Sequence, residues 1–543
     1  MRKRRRIGSL LPVGYLALAL LAAVAILPTA LRPPPEQQQS SAALNPNAPP
    51  EDEAETIIQS LRQAASRTAG ATGGEAAPAP VTTTTTIVRP GRGRCVGDPP
   101  RQTESAYAPP CRAAFTGDNG GATAPGVTAD TVTVAFWHAL GMPVRRGRIE
   151  DTPPPDEDAP YRTARVLQRY FNERYELYGR RLQLWAVQDD PTSAEEARAS
   201  AVRVATEGNA FAAVTLEVPF CDEFVRRGRI CFDGNGEAKS FYADRAPRVW
   251  SYQMDIDTVD QMTAEYICKK LVGRNADFAG GAQRGQPRKI AVIQVSWIGN
   301  DFRSASSITE PAKAMCGFET DLAFEYQAGD PQQMASMMAQ IRSAGATTII
   351  GSSGVVELST LMSTAEASGY RPEWVFLNSY GLDFNDSARL LPPSQVTQYF
   401  GMSGWELPKA TEDGDCYRAY KSIDPAGEPD DSFCDLLYIQ IEHVLNGIQE
   451  AGPNLNAETF ASGMYSMPLQ QVRAPWAIGG GYGPGDHAFV DDLAEIWWDP
   501  ACTDPDGGEL GCFQHTAGGR RWRPGAMDGE IRVFREGVPG YTG

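Results

Sequence analysis

Only four histidines occur in the 543 residues: His138, His443, His487 and His515. None stands in an H-E-x-x-H pair, the spacing that puts two imidazoles and a carboxylate on one helical face for zinc chemistry. No serine sits in a G-x-S-x-G elbow, so no motif marks an activated nucleophile. His138 follows a strand-like run and could meet Asp189 or Ser352 in space, but no nucleophile motif accompanies it. His443 lies in an apolar helical pattern and reads as a packed histidine. The ten cysteines include no C-x-x-C pair, and Cys512 with His515 is the nearest approach to a zinc pattern. Asp504, Asp506 and Glu509 have acidic spacing without the glycine and ligand positions of a calcium loop. The run GGGYGPG at 479–485 lacks a preceding strand and a following helix, so it reads as a loop and not as a phosphate cradle. These observations indicate no enzyme, no metal and no cofactor. What remains is binding chemistry.

The stretch KIAVIQVSWIGNDF at 289–302 carries it best. Lys289 to Val295 reads as a buried strand, after which the chain turns polar and aromatic at once, with Ser296, Trp297, Asn300 and Asp301. Ligands in open α/β sheets bind at such strand ends. A phosphate is poorly supported, because closing backbone amides on an anion takes several glycines and only Gly299 is present.

The elements that would position these residues alternate between strand and helix. Residues 131–136 (TVTVAF) read as a strand, 160–178 as a helix with an apolar face, 181–187 (RLQLWAV) as a second strand, and 211–216 (FAAVTL) as a third. Ser193 with Glu196 three residues on is a capping box for the intervening helix, which Gly208 ends. A second run follows: a helix from Thr258 to Gly273, the strand at 289, a helix opened by Asp330-Pro331 and ended at Gly345, a strand at 347–351, a helix over 356–368 and a strand at 374–378. The helix expected over 432–451 could return to the first unit. Strands joined by helices imply right-handed crossovers, so the expected fold class is α/β, with two parallel sheets covered by helices on both faces.

Export is written into the other end of the chain. MRKRRR precedes an uncharged run from Ile7 to Leu31, about long enough to span a bilayer at ~1.5 Å per residue. The basic end should stay cytoplasmic and everything after Leu31 outside. The competing reading is a signal peptide cleaved after Ala23-Val24-Ala25. The apolar run continues beyond that site, so a retained transmembrane helix is the expectation. From Arg32 to about Pro125 the composition is that of a disordered tether, interrupted by a short helix near 57–65 and a small loop closed by Cys95 and Cys111. Cysteine order suggests five local disulfides: Cys95 with Cys111, Cys221 with Cys231, Cys268 with Cys316, Cys416 with Cys434 and Cys502 with Cys512. Short loops are cheaper to close. Sequence alone leaves other connectivities open. With 50 basic against 67 acidic residues and a net charge of −17, a nucleic-acid partner is excluded as an expectation.

Several segments, in order, resemble the type 1 periplasmic binding proteins, the branch that includes the branched-chain amino acid receptors. PGVTADTVTVAF is similar to the start of the mature domain. FNERYELYGRRLQLWAVQDDPTSAEEARASAVRV resembles the family's helix, second strand and acidic turn. KIAVIQVSWIGNDF and GDPQQMASMMAQIRSAGATTIIGSSG resemble the opening of the second lobe, and GYGPGDHAFVDDLAEIWWDP the C-terminal segment. The resemblance covers about 126–500 and lies in the order of many weak motifs. It implies two lobes, 126–255 with about 398–452 and 256–397 with part of 453–543, after the anchor or signal (1–31) and the tether (32–125). The ligand-binding residues it implies are Trp137, His138, Thr215, Glu217, Tyr252, Ser296, Trp297, Asp301, Ser352, Ser353, Ser379 and Tyr380. The expected function is extracytoplasmic binding of a small polar, amino-acid-like solute, with a membrane permease and its ATPase as partners. The alternative is a membrane-tethered sensor or protein-binding scaffold on the same fold.

Three departures set the chain apart from that family pattern. Thr215-Leu216-Glu217 stands where a serine usually grips the ligand carboxylate. Asp301-Phe302-Arg303 lacks the family's glycine. The loop after the first strand swells into ALGMPVRRGRIEDTPPPDEDA. No cysteine precedes Cys95, so lipid attachment to a cysteine at the end of the N-terminal segment is excluded as an expectation.

Overall fold

The computed structural model describes residues 87–88, 94–137, 147–187, 193–215, 217–297, 303–379, 381–430, 434–469 and 477–537. The expected membrane segment, the helix near 57–65 and most of the tether lie outside these residues. Among the described residues no helix is long and apolar enough to cross a membrane.

A small antiparallel pair, β1 (Ile87–Val88) and β2 (Arg94–Cys95), comes first. The first large sheet holds β3 (Thr131–Trp137), β4 (Gly147–Arg148), β5 (Arg181–Val187), β6 (Ala212–Thr215), β7 (Ile230–Asp233) and β8 (Val249–Ser251), in the order β4-β5-β3-β6-β7-β8. All pairs are parallel except β4 with β5. The second sheet holds β9 (Ile290–Ser296), β10 (Ala323–Gln327), β11 (Thr348–Gly351), β12 (Glu373–Leu377), β13 (Tyr399–Ser403), β14 (Leu493–Thr503), β15 (Leu510–His515) and β16 (Arg521–Trp522). Its order is β10-β9-β11-β12-β13-β14-β15, with β16 beside β14. The pairs from β10 to β13 are parallel, whereas β14 pairs antiparallel with β13, β15 and β16, so this sheet is mixed where an all-parallel one was expected. The antiparallel hairpin escapes a reading based on alternating strands and helices because no helix separates β14 from β15.

The parallel cores of the two sheets share one topology. Taken in chain order, each reads second, first, third, fourth, fifth strand across the sheet. The connections therefore leave in opposite directions on either side of the first strand, opening a crevice at the carboxyl ends of the first and third strands. In the first sheet that crevice lies between β3 and β6, in the second between β9 and β11.

Local signals explain the helices between strands. Ser193 Oγ accepts the Glu196 N–H at 3.2 Å, and Asp330 caps the helix Pro331–Ser343 by accepting the Gln333 N–H at 2.9 Å. The helix expected from Thr258 starts earlier, at Ile256, because Asp255 is its cap and Thr258 donates to that cap from the third position. It runs to Tyr266 and continues as a wider π turn over Ile267–Leu271. The helix expected over 160–178 ends at Arg174, where Tyr175 turns extended. The helix Cys434–Ala451 packs on the first sheet and on the helix Ala159–Arg174. That return begins after Ser403, not near 398, since the unrecognised strand YFGMS still belongs to the second sheet.

The ten cysteines are joined in the five local pairs, with Cα atoms 5.5 to 5.7 Å apart. Cys221, in the helix Val218–Arg226, is bonded to Cys231 in β7, so that helix is pinned to the sheet it covers. Cys268, in the π turn, is bonded to Cys316 at the end of the helix Ser306–Cys316, which holds two neighbouring helices of the second lobe together. Cys95 is bonded to Cys111, Cys416 to Cys434 and Cys502 to Cys512.

Packed structure begins well before Gly126. The loop between Cys95 and Cys111 lies on the first lobe, burying Gln102, Thr103, Ser105, Tyr107 and Ala108. Ser105 Oγ donates to Glu442 at 2.8 Å, Asn446 donates to the Tyr107 carbonyl at 3.0 Å and Gln449 to that of Pro110 at 3.0 Å. The loop was expected only as an interruption of a tether; its packing on the lobe escapes composition because few apolar residues are needed when side chains of another element satisfy the backbone.

Glu442 gives this docked loop a pH signature. Its carboxyl is fully buried, and burial, with Asp415 and Glu406 adding negative field, pushes it from 4.5 up to about 8. Between those values the native protein holds a proton that the unfolded chain has released, so stability falls as pH rises through that window and levels off above it. Urea unfolding at pH 5 and pH 8 should show this loss, and Glu442→Gln should flatten it and raise stability at pH 8.

Candidate functional site

The two crevices collect the sequence-selected residues. At the first, Trp137 ends β3 half-buried, Thr215 ends β6 buried, and Glu217 precedes the helix Val218–Arg226. Thr215 Oγ1 accepts the Glu217 N–H at 3.0 Å, which shapes the turn. At the second, Ser296 ends β9, Trp297 follows it half-buried, and Ser352 and Ser353 follow β11. Ser379 follows the adjoining β12. His138, Asp301 and Tyr380 lie outside the described residues.

The serines at the second crevice are committed to their neighbours. Ser352 Oγ donates to the Gln294 carboxamide and accepts the Val295 N–H at 3.2 Å. Ser353 Oγ accepts from Tyr326 at 2.7 Å, and its N–H donates to Ser379 Oγ at 3.1 Å. Ser379 Oγ in turn donates to the Ser353 carbonyl at 3.0 Å. Ser296 Oγ accepts the Arg303 N–H at 3.3 Å, while its carbonyl accepts from Gln327 Nε2 at 2.9 Å. The hydroxyls of Ser352, Ser353 and Ser379 therefore fasten strand ends together and are not arrayed as spare donors, whereas Ser296 Oγ serves its neighbour as an acceptor. Tyr252 departs further from expectation: it is buried in the first lobe's core and accepts from Gln440 at 3.2 Å, because that helix covers the strand end after β8.

Trp297 lies across Gly354, the cap of the helix Val355–Ala367. A Cβ at Gly354 would stand 2.6 Å from the indole Cη2, so only glycine admits the ring. The same missing Cβ would meet the carboxylate Oε2 of Glu357. Glu357 was not anticipated from sequence. It is 3% exposed, and its Oε2 has no hydrogen-bond partner. Burial raises its pKa, more than the backbone N–H groups of Glu357 and Gly329 lower it. Among the described residues no cation pairs with it. The positive end of the helix offsets part of the cost of holding a charge there. The sequence signal was a lone acid in the apolar run VVELSTLM three residues after the glycine.

Asp260 was also missed. Its carboxylate accepts from Arg303 Nη2, from Gln294 Nε2 at 3.1 Å and from Ser307 Oγ at 2.6 Å. Through Gln294 and Ser352 it anchors the far side of the crevice. An acid in a helix whose partners come from two stretches more than thirty residues on gives no spacing to read.

The residues screened for catalysis are placed differently. Burial pushes His443 and His515 down to about 3, so both are neutral. His487 stacks on Trp250 at 4.1 Å between centroids and bonds Tyr465 at 2.6 Å. Arg389 bonds Asp504 and pairs with Glu509 at 3.4 Å, and Asp506 accepts from Thr411. Those acids are thus partnered by protein groups, and no group of three or more metal-ligating side chains occurs among the described residues.

Residues 279–494 match the periplasmic binding protein family. The matched segment spans β9 to the start of β14, which is most of the second lobe with the return through the first. No curated protein matches the sequence. Among solved structures the chain is similar to the branched-chain amino acid transporter substrate-binding protein LivJ of Streptococcus pneumoniae, in complex with isoleucine, with 13% identity, 71% of this chain and 100% of that chain covered, and a TM-score of 0.46. It is also similar to a solute-binding protein of an ABC transporter from R. palustris in complex with 4-hydroxybenzoate, at 11% identity, 73% and 98% coverage and a TM-score of 0.49. A leucine-binding protein LivK of Thermotoga maritima gives 12% identity, 73% and 99% coverage and a TM-score of 0.47.

Proposed function

We propose that this chain is an extracytoplasmic solute-binding protein whose two lobes close on a small polar, amino-bearing molecule for ABC-type uptake. The lobes would be 126–255 with the returning helices, and 256–403 with the C-terminal strands. The observation that carries the reading is Glu357: a buried carboxylate with an unpartnered oxygen, against the same Gly354 that the Trp297 indole crosses, at the crevice of the second sheet. Burying such a charge without a partner is costly, and an ammonium arriving with the ligand would offset that cost. Trp297 and Trp137 would exclude water from the closed site, and contacts from both lobes would favour the closed state over the open one. A thermal-shift screen of the exported chain against amino acids, amides, polyamines and sugars tests this. Amino-bearing solutes should raise the melting temperature, since a ligand bound only to the folded state stabilises it by mass action. No stabilisation by any of them, with a surface protein recovered by pull-down, would replace this reading with the sensor or scaffold.

The partners in this reading are a membrane permease and its ATPase, and the N-terminal segment is retained as a single-pass anchor. Its support is the MRKRRR cluster ahead of the uncharged run to Leu31. Mass analysis of the mature protein should show residue 1 or 2 at the N-terminus; a start after Ala25 or Ala30 would remove the anchor and leave the export.

A further inference from the structure

The chain passes between the two sheets three times, after Ser251, after Ser403 and before Leu493. These crossings are fastened to one another. The Ser251 N–H donates to the His487 carbonyl at 2.8 Å and the Ser251 carbonyl accepts the Phe489 N–H at 3.0 Å, so the first and third crossings pair like short strands. Tyr482 adds a bond from its hydroxyl to the Ser251 carbonyl at 3.1 Å. From the second lobe, buried Arg521 donates to Asp492 Oδ1 at 2.6 Å and to the carbonyls of Trp405 at 2.7 Å and Gly404 at 2.9 Å, tying the second crossing to the third.

Tyr107 reaches the same junction from the N-terminal loop. It is 4% exposed, its hydroxyl donates to Glu406 in the second crossing and accepts the Ile478 N–H at 3.1 Å in the third. Its ring meets Phe489 edge-on at 5.6 Å. The loop that presents it is closed by Cys95 and Cys111, and it is held to the first lobe through Glu442, Asn446 and Gln449. A tyrosine that only packed the loop down would need neither crossing. We propose that the Cys95–Cys111 loop is a brace on the inter-lobe hinge, with Tyr107 its contact point, so that the segment leading from the N-terminus restrains how the lobes move. Hinge motion is absorbed by a few residues in such crossings, and a hydroxyl shared by two of them opposes their separation.

The test is hydrogen exchange on the full chain, which needs no ligand, so a failed solute screen leaves it intact. Tyr107→Phe keeps the ring and removes both hydrogen bonds. The amides of Ser251 and Phe489, which do not touch the hydroxyl, should then exchange about tenfold faster through more frequent local opening. Glu406→Gln, which weakens the same contact from the other side, should move the same amides in the same direction. Faster exchange confined to Ile478, whose own amide loses its acceptor, with Ser251 and Phe489 unchanged in both variants, would overturn the proposal.

Discussion

Glu373→Ala is expected to destabilise the fold by about 3–5 kcal/mol, the cost of removing one partner of a buried ion pair. Glu373 and Arg288 have side chains 0% and 1% exposed. They face each other in a two-pronged pair, Nε to Oε2 at 2.9 Å and Nη2 to Oε1 at 2.8 Å. The carboxylate also accepts from Thr348 Oγ1 at 2.6 Å and from the Phe278 N–H at 3.1 Å. Arg288 Nη1 donates to the Leu271 carbonyl at 3.0 Å. One acid thus joins β11, β12, the end of the helix begun at Ile256 and the loop that follows it. Removing it leaves a guanidinium in the interior with no anion, and a hydroxyl and an amide without acceptors. Glu373→Gln should cost less, since it retains an acceptor. Chemical denaturation of each variant measures the difference, and a loss below about 1 kcal/mol for the alanine variant would show that water reaches the pair. The pair sits at the amino ends of its strands, opposite the crevice, so ligand affinity of the folded variant should be unchanged.

Glu357→Gln should have the reverse profile, with little effect on folding and a large one on binding. If its carboxylate receives the ligand's ammonium, the variant loses a desolvated charge pair, which costs about 2–5 kcal/mol. A loss at the lower end is about thirtyfold in Kd, since 1.4 kcal/mol is a factor of ten. The folded state should be as stable or more so, because the neutral side chain no longer has to be buried as an anion. Affinity in the unmodified protein should fall as pH is lowered through the Glu357 pKa, and burial starts that fall at a higher pH than for an ordinary carboxylate. Trp297→Ala should weaken binding by about 1–3 kcal/mol through lost apolar contact. Titration calorimetry with the stabilising solute from the thermal screen checks all three. Equal affinity of Glu357→Gln for that solute would assign Glu357 to the helix terminus alone.

Three strands of each parallel core were legible in the sequence, β3, β5 and β6 in the first sheet and β9, β11 and β12 in the second, because a buried parallel strand is a continuous apolar run bounded by turn residues, as in IAVIQVS and TIIG. The strands β7, β8, β10 and β13 were not, being very short or interrupted by polar residues and glycine. Caps at Ser193 and Asp330 were legible for the same local reason: the bond spans three residues. Strand ends, and with them Trp137, Thr215, Ser296 and Trp297, followed from strand positions. Tertiary structure decided everything that depends on partners distant in the chain. It took up the hydroxyls of Ser352, Ser353 and Ser379 between neighbouring strands, and it turned Tyr252 under a helix that begins at Cys434. It brought the loop around Tyr107, expected only as a small closed loop interrupting a tether, onto a helix more than three hundred residues away. It also buried Glu357 at a glycine that is crossed by an indole lying sixty residues earlier in the sequence. Whether a charge ends in water or in the interior depends on what covers it, and that is fixed only when the chain has folded.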